Sequence, residues 1–96
     1  ISLQRINKPY LKYLNHVLKK IKKNKINPII ILEPIYNNKY IYEIDQLKQN
    51  LETKNIIDLS SMSFSSDLWV DGIHMNNSGR VEYSKYLSTV LSKLKF

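Results

Sequence analysis

Two short apolar runs, Ile29-Ile30-Ile31-Leu32 and Asn55-Ile56-Ile57-Asp58-Leu59, constrain the fold of this chain more than any other feature. A β-branched run without polar alternation is the pattern of a strand covered on both faces, and such strands belong to parallel sheets packed between helices. Glu33-Pro34 ends the first run. Between the two, Ile41, Ile44, Leu47 and Leu51 recur at three- and four-residue spacing, which predicts an amphipathic helix from Asn38 to about Thr53. Strand, helix, strand is the unit that joins parallel neighbours, because parallel pairing needs a long crossover, and that crossover is right-handed.

The flanks extend the same plan. Pro9 suits the first turn of a helix, and Tyr10, Tyr13, Leu14, Val17, Leu18 and Ile21 then form one stripe. Lys12, Lys19, Lys20, Lys22, Lys23 and Lys25 fill much of the rest, a solvated face whose late lysines also favour a helix C-terminus. Asn27-Pro28 breaks this helix. His16, beside the stripe, reads as a half-buried helix histidine. From Ser60 to Val70 the sequence is irregular, a long loop containing serines 60, 61, 63, 65 and 66. Asn76 or Asn77 then caps a last helix with Val81, Leu87, Val90, Leu91 and Leu94 on one stripe, running to the C-terminus. The expected fold class is α/β, ordered helix, strand, helix, strand, loop, helix.

Ninety-six residues hold one domain, residues 1–96, with a modest core. The chain opens at Ile1 and enters its lysine-rich helix almost at once, so it reads as an excerpt of something longer. No apolar run is long enough to cross a bilayer. Without cysteine there is neither a disulfide framework nor a thiolate zinc site, and the compartment stays open. The net charge of +7 raises nucleic acid or an anionic polymer as a partner, which would bind with steep salt dependence. Lysine supplies nearly all of that charge, Arg5 and Arg80 being the only arginines. Together with abundant Ile, Asn and Tyr and no alanine, this is the bias an AT-rich genome produces, and no nucleic-acid partner is expected.

The chemistry concentrates at Asp71-Gly72-Ile73-His74. In an open α/β sheet, loops leaving the carboxyl ends of strands line the ligand crevice, and these residues lie on the loop after the second run. An Asp three residues before a His in a turn can fold back to accept the Nδ1 proton. That fixes the tautomer and leaves Nε2 to take a proton from a hydroxyl nucleophile. Gly72 would allow the tight reversal, Gly79 a close helix entry, and Asn76 a cap or a brace for the loop, while Trp69 and Val70 would anchor it. Glu33, Pro34 and Tyr36 follow the first run and read as a strand-ending turn, with a crevice wall as the alternative. Asp71 and His74 supply two metal ligands at most, and His16, the only other histidine, lies on the far helix, so no metal or other cofactor is expected.

Leu68-Trp69-Val70-Asp71-Gly72-Ile73-His74-Met75-Asn76-Asn77-Ser78-Gly79 resembles the last conserved block of the SGNH (GDSL) hydrolase superfamily, a D-x-x-H followed by Asn and Gly ahead of the terminal helix. The resemblance implies the C-terminal part of a flavodoxin-like three-layer α/β/α domain. It implies a serine esterase or O-acyltransferase with His74 as general base and Asp71 as its orienting acid. The family's nucleophile sits in a Gly-Asp-Ser motif and its oxyanion hole in intermediate blocks. None of these occurs here, and Gly72 and Gly79 are the only glycines, so the rest of a parent chain would supply both and the fragment alone is expected to be inactive. The loop serines lie in the wrong order to replace that nucleophile. Met75 stands where many esterases of the family carry proline. This resembles the envelope-associated branch, with its D-alanyl transfer proteins and polysaccharide O-acetyltransferases, a core-packing role for Met75 being the alternative, and implies an acyl-ester substrate on a carbohydrate or envelope polymer and favours an extracytoplasmic or cell-envelope setting. The alternative is a domain that keeps this block but has lost catalysis and serves as a binding or scaffold module.

Overall fold

The computed structural model describes residues 2–4 and 8–94. Helices and short strands alternate: β1 (Ser2–Gln4), α1 (Lys8–Lys23), β2 (Ile30–Leu32), β3 (Tyr40–Tyr42), α2 (Ile44–Asn50), β4 (Ile56–Asp58), a 3-10 turn (Ser66–Leu68) and α3 (Asn77–Ser92). They fall into two compact units, residues 1–34 with 38–61, and residues 35–37 with 62–96.

In the first unit both strand pairs are parallel. β2 pairs with β4 in the register Ile30–Ile56, Ile31–Ile57 and Leu32–Asp58, so the two apolar runs are hydrogen-bonded neighbours. β1 pairs with β3, Ser2 opposite Tyr40 and Gln4 opposite Tyr42. The strands are less covered than their composition predicts: Ile30 to Leu32, Ile56 and Ile57 are half-buried and Asp58 is exposed. A two-stranded pair has two open edges, and of the helices α2 packs against β4. Burial concentrates instead where helices and connections meet, at Leu18, Leu51 and Leu59. Thr53 is buried with its hydroxyl satisfied twice, donating to the Pro28 carbonyl at 3.0 Å and accepting from the Asn55 amide at 3.1 Å.

The helix expected from Asn38 to Thr53 is two elements. Its front is β3, because Tyr40-Ile41-Tyr42 is an aromatic and β-branched triplet that suits a pleated surface, and β1 offers it a partner. The remainder is the seven-residue α2, ended where Leu51 turns extended and buries its side chain. Ile41, the first residue of the supposed stripe, is exposed.

The stripe of α1 is narrower than its spacing suggests. Leu11, Leu14, Val17 and Ile21 are half-buried around the buried Leu18, whereas Tyr10, Tyr13 and His16 are exposed. At about 100° per residue, Tyr13 and His16 lie more than about 130° around the helix from Leu18. Asn15, by contrast, faces inward. Its amide donates to the Asn50 carbonyl at 2.7 Å and accepts from the Glu52 amide at 2.8 Å, clamping α1 to the end of α2. The helix also stops before Asn27-Pro28. Ile26 N–H bonds to the Ile21 carbonyl and Lys25 N–H to that of Lys22, with Lys25 at φ 60°, a Schellman cap built on a lysine.

In the second unit α3 begins at Asn77 with Asn76 as N-cap, as its sequence predicts. Its covered side differs from the expected stripe: Tyr83, Leu87, Val90 and Leu94 are half-buried, and Val81 and Leu91 are exposed. Phe64 meets Tyr83 edge-on at 6.2 Å. The helix ends at Ser92 with Lys93 as its C-cap, and the last two residues of the expected helix lie outside the described residues. No described helix is long and apolar enough to cross a membrane.

Candidate active site

The site belongs to the second unit and is built on a closed loop. Trp69 and Met75 form an antiparallel bridge, and Val70 N–H donates to the His74 carbonyl at 2.7 Å, so the chain leaves and returns within five residues. Asp71 holds the reversal itself. Its Oδ1 accepts from the backbone N–H of Ile73 and of His74, both at 2.9 Å, an Asx-type turn in which a side chain replaces a backbone acceptor. The expected role of Gly72 falls away. It does not adopt positive φ, and a Cβ there would meet nothing within 4 Å.

The same carboxylate receives the imidazole. His74 Nδ1 lies 2.8 Å from Asp71 Oδ2 and 3.0 Å from Oδ1. With Asp71 ionised and the histidine neutral, Nδ1 carries the proton and donates it to the carboxylate, which leaves the Nε2 lone pair available. Nε2 makes no hydrogen bond among the described residues, and the side chains of His74 and Asp71 are 61% and 54% exposed. The Asp71 carboxyl is held below its ordinary value of 3.8, first by the Ile73 amide, then by the His74 ring and the His74 amide. Donors aimed at a carboxylate favour its charged form.

Three contacts anchor the base of the loop. Asn76 N–H donates to the Leu68 carbonyl at 2.9 Å, and its side-chain amide donates to the Asp67 carbonyl at 2.6 Å while accepting from Gly79 N–H at 2.9 Å. Asn76 is therefore both cap and brace. Gly79 lets α3 pass against the 3-10 turn: a Cβ there would sit 2.9 Å from Met75 Cβ and closer still to the Leu68 carbonyl oxygen. Met75 is buried beneath the loop, the packing role its apolar character allows.

Of the two expected anchors, only Trp69 serves. Its ring is half-buried and lies 6.0 Å from that of Tyr36 at 53°, whereas Val70 is exposed. Neighbouring residues of an extended segment point to opposite faces, so one of the pair had to face away. Tyr36 also reaches the loop through its backbone, donating N–H to the Gly72 carbonyl at 3.1 Å. That amide contact has no side-chain signature in the sequence. Glu33 and Pro34 remain in the first unit, where they follow β2. Ser60, also in that unit, is buried with its hydroxyl 2.6 Å from Asp58 Oδ1. Ser63, Ser65 and Ser66 line a cleft with Tyr36, Asn37 and Trp69 and make no hydrogen bond to His74. Among the described residues, no three His, Cys, Asp or Glu side chains gather where they could hold a metal ion.

Chemically, the pair can hold an imidazole in one tautomer, stabilise it when it protonates, and offer Nε2 to a hydroxyl. The chain matches no family model, no curated protein and no solved structure.

Proposed function

We propose that this chain is the acid and histidine end of an SGNH-type serine esterase or O-acyltransferase. The observation that carries the reading is the 2.8 Å contact between Asp71 Oδ2 and His74 Nδ1 in a loop that leaves Nε2 unengaged. His74 takes the proton of a serine hydroxyl as its Oγ attacks the ester carbonyl carbon. It returns that proton to the departing alcohol oxygen as the acyl-enzyme forms. Water, or an acceptor hydroxyl in a transferase, then repeats the exchange and releases the acyl group. Asp71 stays ionised and stabilises the imidazolium between these transfers.

The serine and the oxyanion hole come from polypeptide outside these 96 residues, since no Gly-Asp-Ser occurs here. The parallel pairs with open edges support a place in a larger flavodoxin-like α/β/α sheet, where further strands would cover them. The acyl ester belongs to a carbohydrate or cell-envelope polymer. In the full-length protein, His74→Ala lowers kcat for p-nitrophenyl acetate on the order of 10²–10⁴-fold with the circular dichroism spectrum unchanged. Undiminished turnover in that variant contradicts the assignment, and a parent protein without any turnover assigns the domain to binding or scaffolding instead.

A further inference from the structure

The cleft beside the Asp71–His74 loop has no part in the chemistry above. It measures about 340 Å³, within the range of small-ligand sites, and all nine residues lining it belong to the second unit. In a chain of net charge +7, not one of those nine is Asp, Glu, Lys, Arg or His. A phosphate, a carboxylate or a cation would find no counter-charge there. The lining combines the tilted Tyr36–Trp69 ring pair and the apolar Ile35, Met62 and Phe64 with the hydroxyl and amide groups of Asn37, Ser63, Ser65 and Ser66. Tyr36 is 42% exposed, so part of its surface is open to a ligand. Trp69 Nε1 is buried without a hydrogen-bond partner among the described residues.

Aromatic rings beside short neutral hydroxyl and amide groups match one ligand chemistry closely. A pyranose ring has a face of C–H bonds that packs on the negative face of an aromatic ring, and an edge of hydroxyls that both donate and accept. An alkyl chain would use the rings but strand the polar groups it covers without partners. We propose that this cleft is a subsite for a neutral sugar ring, with Tyr36 and Trp69 as its platform. Tyr36 N–H bonds to the Gly72 carbonyl, so the platform is tied to the backbone that carries Asp71 and His74. That the bound sugar carries the ester presented to His74 rests on the hydrolase reading; the binding itself does not.

The test follows the Trp69 indole N–H signal by NMR in the full-length protein, assigned by its loss in Trp69→Phe. Cellotriose and tri-N-acetylchitotriose serve as neutral sugars, with glucose 6-phosphate and 1-hexanol as anionic and apolar controls. At least one neutral sugar shifts the signal saturably and neither control does. Tyr36→Ala weakens that binding about tenfold, the scale of one lost aromatic contact, while Tyr36→Phe retains it. Ser63→Arg, at an exposed position where a long side chain fills the cleft, abolishes it without touching the ring pair. No saturable shift with either sugar, an equal response to a control, or full affinity in Ser63→Arg overturns the proposal. His74→Ala separates the two readings, because it leaves sugar affinity unchanged while removing turnover. Sugar binding without wild-type ester turnover sinks the hydrolase reading alone, and turnover without sugar binding sinks the subsite alone.

Discussion

At the residue scale, Asp71 does two jobs with one carboxylate, closing the turn through two backbone amides and orienting His74. Its carboxyl lies below 3.8 in the folded chain, so its contribution to stability is fully present above the unfolded value and is lost as pH falls through the lowered folded value. A carbon-detected titration of the Asp71 carboxyl should have its midpoint below 3.8, and Asp71→Asn should remove that acid-side dependence; a midpoint at or above 3.8 contradicts the geometry. Gly79 gives a second prediction. Ala for Gly inside a helix is usually stabilising, but here the added Cβ strikes the Leu68 carbonyl and Met75. Gly79→Ala therefore costs about 1–3 kcal/mol in urea unfolding, whereas Ser84→Ala on the exposed face of α3 stays within about 0.5 kcal/mol. The Asp71–His74 pair was legible in the sequence because the whole interaction spans four consecutive residues. Tyr36 stands there as a crevice-wall alternative, but its tie to the loop is not legible, since it runs through a backbone amide 36 positions from its acceptor.

At the scale of elements, sequence pattern found what local chemistry specifies alone. The cap at Asn76, the start of α3 and the strand character of β2 and β4 all follow from residues adjacent in the chain. Periodicity misled where a tertiary partner decides. Ile41 fits a helical stripe and a strand equally well, and its pairing through β3 with β1 is a choice that no window around residue 41 contains. The end of α1 is similar: Asn27-Pro28 is the visible breaker, yet the helix stops earlier on a Schellman cap with Lys25 at φ 60°. An L-residue pays conformational strain in that region and glycine does not. Lys25→Gly should raise stability by about 1 kcal/mol, measured as a higher urea midpoint with unchanged slope. A loss of stability would mean that the left-handed turn is not the cap.

At the scale of the whole molecule, six of the thirteen lysines lie on α1 in the first unit, all of them exposed, while Asp71, His74 and the uncharged cleft belong to the second. The central claim is that His74 is the base of a serine-dependent acyl transfer, and the most direct measurement is covalent capture of that serine. In the full-length protein, a fluorophosphonate should label one serine lying outside these 96 residues, with loss of fluoride. His74→Ala should slow that labelling on the order of 10²–10⁴-fold. The absence of a labelled serine, or labelling at the same rate without His74, would contradict the account.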